Sequence, residues 1–271
     1  MTEEQFDINR CIVGGAIQKI WDRESDIFLR LAFLPDPDKP LRYLTLRLPD
    51  GKIDGKLVSL QPGEKIRVSG YLVDAPYTET LAEFLRDARK DGLIDRLDNA
   101  EKFRQVRVKR VGTRLDVLEL ERLTNAAELQ AADVMVQGIA AKLWNSSRNL
   151  KVRLAIYDQY TDILTPGTNG KRPRRKAHYL TAFFPDSKVG GKDVKIHKRN
   201  RIRLAGSLQI HFYRQTLREV LLRSGNATLI GELDAVIDPD QIFAIQDSVS
   251  MRVDSAIVLA SMGRAQLHKS V

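Results

Sequence analysis

Cysteine is nearly absent, with Cys11 standing alone among 271 residues. A lone cysteine excludes an internal disulfide framework and fits a reducing, cytoplasmic setting. Cys11 itself reads as a small apolar residue on a strand, not as a nucleophile. Long apolar runs are also missing. No stretch approaches the roughly 20 residues of a membrane span, so no membrane partner is expected. The first ten residues, MTEEQFDINR, are acidic and polar, unlike a signal peptide. Enzyme signatures are absent too: the chain has no GxxxxGK[ST], GxSxG, HExxH or CxxC. Its four histidines, His178, His197, His211 and His268, lack ligand-like spacing and read as surface residues. Duplicated catalytic machinery should recur along the chain, and no acidic pair does. No enzyme, metal site or cofactor is expected.

What is present is a repeat. Residues 43–85 align without a gap to residues 179–221 at an offset of 136, with 18 of 43 positions identical. Upstream the register continues at an offset of 123, through Val13/Val136, Gly15/Gly138, Lys19/Lys142, Trp21/Trp144, Arg30/Arg153 and Leu31/Leu154. The 13-residue change of offset is one insertion in the second copy. A unit this long is a whole domain, so the expected division is residues 1–125 and 126–271. TNAAELQAA, residues 124–132, makes a short join between them.

Each copy reads as a set of strands. Cys11–Trp21 holds an apolar run with a double glycine, suiting a curved, bulged strand. Asp26–Leu34 and Leu41–Leu48 follow. In the latter, Leu44, Leu46 and Leu48 share one face, and Tyr43, Thr45 and Arg47 share the other. The second copy sets Leu180, Ala182 and Phe184 against Tyr179, Thr181 and Phe183. Lys65–Val73 is a fourth strand. Thr78–Lys90 reads as a helix capped by Thr78 or Thr80, matched by Leu217–Leu222. The last strands fall in Gln105–Leu123 and Met251–Ser261. Five strands with a helical insert before the last describe an all-β fold with minor α. They form two tandem Greek-key barrels of the oligonucleotide/oligosaccharide-binding (OB) architecture.

Charge and rings recur outside the expected core. The net charge is +9, which suits a polyanionic partner or simply solubility. The duplicated cations are Lys19/Lys142, Arg30/Arg153 and Arg67/Arg203. The duplicated rings are Trp21/Trp144, Tyr43/Tyr179 and Tyr77/Tyr213, and Arg47 and Phe183 extend the third-strand faces. Cations tracking phosphates and rings stacking on unpaired bases suit single-stranded nucleic acid. Structural roles stand beside these: Trp21 and Trp144 closing a barrel end, Tyr43 and Tyr179 packing on the other copy, Arg30 and Arg153 in ion pairs, Tyr77 and Tyr213 stapling the helix. The second copy also carries a long loop, 159–177, with Lys171, Arg172, Arg174, Arg175 and Lys176. Mutual repulsion makes that run costly without a polyanion, so the second barrel is expected to bind more tightly, with the steeper salt slope. Apolar residues near the end, such as Val249 and Val253, are candidates for an interface.

Val13-Gly14-Gly15 and Val136-Gln137-Gly138, with Ile66–Leu72 and its copy Ile202–Leu208, resemble the bacterial single-stranded DNA-binding protein family. The likeness covers about two thirds of the chain. It implies a divergent member with two barrels per chain, reaching four by homodimerising. The implied role is sequence-tolerant DNA binding and protection in replication, recombination or repair, at the nucleoid. Three features depart from the family. The chain ends AQLHKSV instead of in an acidic recruitment tip, the helical insert is long, and the third strand lacks tryptophan. An RNA-binding module and a structural or adaptor subunit are the competing functions.

Overall fold

The computed structural model describes residues 7–34, 40–96, 100–124, 132–157, 177–235 and 237–261. The expected join at 124–132 and the basic loop, including Lys171, Arg172, Arg174, Arg175 and Lys176, lie almost wholly outside these residues.

Ten long strands form one sheet. In the first copy they are β1 (Asn9–Arg23), β2 (Asp26–Phe33), β3 (Arg42–Leu48), β4 (Lys65–Thr80) and β5 (Arg107–Arg122). In the second they are β6 (Ala132–Ser146), β7 (Asn149–Ile156), β8 (His178–Phe184), β9 (Asn200–Thr216) and β10 (Phe243–Ser261). Within the first copy the neighbours run β1-β2-β3-β5-β4 and return to β1, and the second copy repeats this circuit from β6 to β10. The β3–β5 and β8–β10 pairings are parallel. A closed five-stranded circuit with that one parallel contact is the OB fold, so the chain holds two tandem OB barrels with minor helix.

Alternation builds each barrel. Leu44, Leu46 and Leu48 are buried, as are Leu180, Ala182 and Phe184. Leu29, Leu31 and Phe33 line the same interior, each contributing about 1.5–3 kcal/mol by leaving water. Two duplicated glycines answer to crowding. A Cβ at Gly70 would run into the carbonyl oxygen of Asp116, and one at Gly206 into that of Arg252. The expected bulge exists, but not at the double glycine. Gln18 is the extra residue of β1 and Ala141 that of β6, where the registers against β2 and β7 shift.

Two strands run further than the sequence suggests. β4 continues to Thr80, so helix α1 begins at Leu81 (Leu81–Asp87), with Thr80 and Glu83 forming a capping box. In the second copy Thr216 and Glu219 cap α3 (Leu217–Arg223) in the same way. β10 starts at Phe243, eight residues before the expected Met251. Further helices, α2 (Ala100–Gln105) and α4 (Ala227–Asp234), complete the inserts.

The chain divides into two compact units. The first comprises residues 1–73, 114–210 and 249–271, and the second 74–113 and 211–248. Each draws on both copies. In the first unit β1 pairs antiparallel with β6, and Cys11 lies opposite its own repeat counterpart, Val134. The Asp7 N–H donates to the Tyr157 carbonyl, and the Asp7 carboxylate accepts the Tyr157 N–H at 3.0 Å and meets Arg201 at 2.7 Å. In the second unit the helices of both inserts share one apolar cluster built on Leu81, Phe84, Phe103, Leu217, Val220 and Leu233.

Candidate nucleic-acid interface

The bulges decide which side chains face outward. Along β1, Cys11, Val13 and Ile17 point inward. Unbroken alternation would send Lys19 and Trp21 inward too. Gln18 shifts the parity by one residue, so Ile20 packs on the core while Lys19 is exposed and Trp21 half-exposed. Ala141 does the same for Leu143, Lys142 and Trp144.

On the first barrel the Lys19 ammonium lies 5.9 Å from the Trp21 ring centre. Trp21 stacks on Phe28, with centres 5.7 Å apart and planes within 15°. Arg114 lies 6.0 Å from Phe28. Beside them Arg30 sits 5.6 Å over Tyr43 and donates to Thr45 Oγ1 at 3.0 Å. Arg47 is held by two carboxylates, Asp26 at 2.6 Å and Asp116 at 2.9 Å, and Asp116 also takes Arg114 at 2.6 Å. Partial burial alone would raise the Asp26 carboxyl. The Arg47 hydrogen bond, the Asp50 amide and the nearby guanidinium charges outweigh it and hold Asp26 below the usual carboxylate range. Burial alone would lower Arg47, but its two carboxylates raise it.

The second barrel repeats the pairs. Lys142 lies 5.6 Å over Trp144, and Arg153 4.9 Å over Tyr179. Phe183 faces Lys151 across β7 and Arg252 across β10. The first copy's Phe28–Arg47 pair is therefore reversed here as Lys151–Phe183. Neither tryptophan belongs to the barrel core, and Tyr43 and Tyr179 face away from it.

Other expected residues lie elsewhere. Arg67 stands opposite Gly14 and meets Glu121 at 3.3 Å, while Arg203 stands opposite Gln137 and donates to its amide oxygen at 3.1 and 2.8 Å. Both oppose β1 or β6 before the bulge, outside the Trp21 and Trp144 clusters. Tyr77 and Tyr213 belong to the second unit. Arg110, nine-tenths and more buried, lies over Tyr77 and bonds Glu79, Asp87, Gln246 and the Ile245 carbonyl. Burial pushes the Tyr77 hydroxyl up to about 12. Tyr213 is more exposed, and burial raises it as well.

Two expectations need correction. His178 is buried at the start of β8, where its alternation with Leu180 turns it inward. Val249 and Val253 belong to the core, and the exposed apolar residues of β10 are Ile257, Val258 and Leu259. Phe28, Arg114, Lys151 and Arg252 were missed as face residues because none is identical in the other copy. Cys11 is buried, and that burial raises its thiol. Among the described residues no group of three or more His, Cys, Asp or Glu is placed to hold a metal, and no helix is long and apolar enough to cross a membrane.

No protein-family model matches the chain, and no curated protein matches it. Solved structures do. The single-stranded DNA binding protein from Thermus aquaticus is 11% identical, with 96% of each chain covered and a TM-score of 0.45. A deletion mutant of that protein is 13% identical over 96% of this chain and 98% of that one, at a TM-score of 0.43. The N-terminal domain of PriB protein from Thermoanaerobacter tencongensis, a dimeric structure, is 10% identical over 43% of this chain and 98% of its own, at a TM-score of 0.26.

Proposed function

We propose that the chain binds single-stranded DNA with little regard to sequence, using one outward face on each barrel. The observation that carries this is the repeated cation-over-ring pair: Lys19 on Trp21 and Arg30 on Tyr43, then Lys142 on Trp144 and Arg153 on Tyr179. A base stacked on such a ring contributes about 1–3 kcal/mol, whatever its identity. The neighbouring cation is placed for the phosphate. Arg67, Arg203 and the basic loop from Lys171 to Lys176 are proposed to add phosphate contacts, and Tyr77 and Tyr213, in the second unit, to add ring contacts. The cellular role is protection of exposed strands during replication, recombination or repair, in the cytoplasm at the nucleoid.

Two chains are proposed to associate, giving four barrels. In support, β10 exposes three consecutive apolar residues, Ile257, Val258 and Leu259, where the first copy has Glu121, Arg122 and Leu123. A mass measurement in solution checks this, and a monomer at micromolar concentration rejects it.

Binding of a labelled dT oligonucleotide across a salt series tests the function. Affinity should fall by about 0.7 log units per decade of salt for each phosphate contacted. Competition with the matched RNA strand assigns the preference. Flat salt dependence, or no binding at low salt, rejects the proposal.

A further inference from the structure

We propose that the two faces load in order, the second barrel before the first, because carboxylates of the first copy already occupy two of its cations, Arg47 and Arg114. This inference rests on the single-strand function above. The two faces carry five cations each, only partly at equivalent positions: Lys19, Arg23, Arg30, Arg47 and Arg114 on the first barrel, and Lys142, Arg148, Lys151, Arg153 and Arg252 on the second. Their carboxylates differ. Asp22, Glu24, Asp26 and Asp116 have Asn145, Ser147, Asn149 and Arg252 as counterparts.

The geometry shows what those carboxylates do. Asp26 and Asp116 accept from two sides of the Arg47 guanidinium, at 2.6 and 2.9 Å, and Asp116 accepts from Arg114 at 2.6 Å. These are the contacts that phosphate oxygens make with arginine. An incoming strand must displace them before either cation can serve it. Asp116 is almost fully buried, so it holds that position without competition from bulk water.

The second barrel shows that the fold does not require the charge. Asp26 accepts the backbone N–H of Asp50 at 3.1 Å, and Asn149 accepts that of Asp186 at the same distance. An amide oxygen keeps the turn. What the aspartate adds is a hold on Arg47, and the second copy, with Phe183 at that position, has neither. Among the described residues no carboxylate forms an ion pair with Lys142, Lys151, Arg153 or Arg252.

Each barrel carries one tryptophan, so each can be read alone in the full chain. Trp21→Phe leaves Trp144 as reporter, and Trp144→Phe leaves Trp21. Each chain is titrated with a dT oligomer of about ten nucleotides, within the span of one OB fold, at about 50 and 200 mM NaCl. The Trp144 signal is expected to saturate at about tenfold lower DNA than the Trp21 signal, with the steeper salt slope. Asp26→Asn combined with Asp116→Asn should move the Trp21 curve to within about threefold of the Trp144 curve. The basic loop cannot produce that shift, since both changes lie on the first barrel.

Coincident curves for the two reporters overturn the ordering, and so does a Trp21 curve that the double change leaves in place. Should the double change unfold the chain, Asp26→Asn alone, a change the turn tolerates as Asn149 shows, supplies the test. It must move the Trp21 curve toward the Trp144 curve, and an unchanged curve overturns the proposal. Failure of the single-strand function itself looks different: neither tryptophan responds and the labelled oligonucleotide stays free.

Discussion

Arg110 shows how one side chain can be required without touching any ligand. Its guanidinium spends its donors on Glu79, Asp87, Gln246 and the Ile245 carbonyl, and its faces lie near Tyr77 and Phe84. A buried cation so fully satisfied is costly to break, because its partners stay behind unpaired. Arg110→Met is expected to destabilise the protein by about 3–5 kcal/mol in urea denaturation at neutral pH. The loss should depend on pH in a definite sense. Burial, the largest influence, already raises Glu79 above its ordinary value of 4.5 despite the arginine, and removing the arginine raises it further. An acid whose folded value lies above its unfolded value binds more protons when folded. Stability therefore falls as pH rises above about 4.5. The Arg110→Met penalty should be smaller near pH 4.5 than at pH 7. A penalty that is constant with pH would mean that Glu79 is not left unpaired.

At the scale of elements, the duplication exposes what each local structure needs. Thr80–Glu83 and Thr216–Glu219 are the same capping box, written twice. Thr216→Ala should cost about 1 kcal/mol. Gly206→Ala should cost more, at or above the roughly 1–3 kcal/mol of overpacking, because the added methyl meets the backbone carbonyl of Arg252 and not a side chain that can turn aside. Urea midpoints order the two, and a milder effect at Gly206 would contradict the packing described. These same features made the barrels legible in the sequence. Alternation at Leu44, Leu46 and Leu48, and glycine kept at 70 and 206, are local signals with a period. The bulges at Gln18 and Ala141 were not legible, since nothing in those residue types marks a parity shift. The run of β4 on to Thr80 was hidden for a similar reason. TETLAEF has helical spacing, but its threonine cap decides where the helix starts, and Thr80 fits that place as well as Thr78. On the faces, searching for identity between copies found Trp21 and Trp144. It passed over Phe28 and Lys151, where ring and cation have changed places.

For the whole molecule, the recurring theme is a copy meeting its own counterpart. In the first unit Cys11 pairs with Val134, Asn9 with Val136 and Val13 with Ala132, so β1 and β6 cross about an approximate two-fold centred on the first of these pairs. In the second unit Arg110 bonds Gln246, its counterpart at the repeat offset. The interface between copies is thus self-complementary in form. A chain cut to residues 1–124 would bare the β1 edge and the apolar residues behind it. The same strand can satisfy that edge by pairing with a second fragment, Cys11 opposite Cys11. The fragment is therefore expected to behave as a dimer in sedimentation, and mild oxidation should link two fragments through Cys11, whose Cα would lie at the distance of a directly opposed strand pair. In the full chain Val134 holds that place, and the same oxidation should leave Cys11 unlinked within the molecule. A fragment that sediments as a folded monomer would show that each barrel closes without its counterpart, and the two-fold pairing would then be a consequence of folding instead of a condition for it.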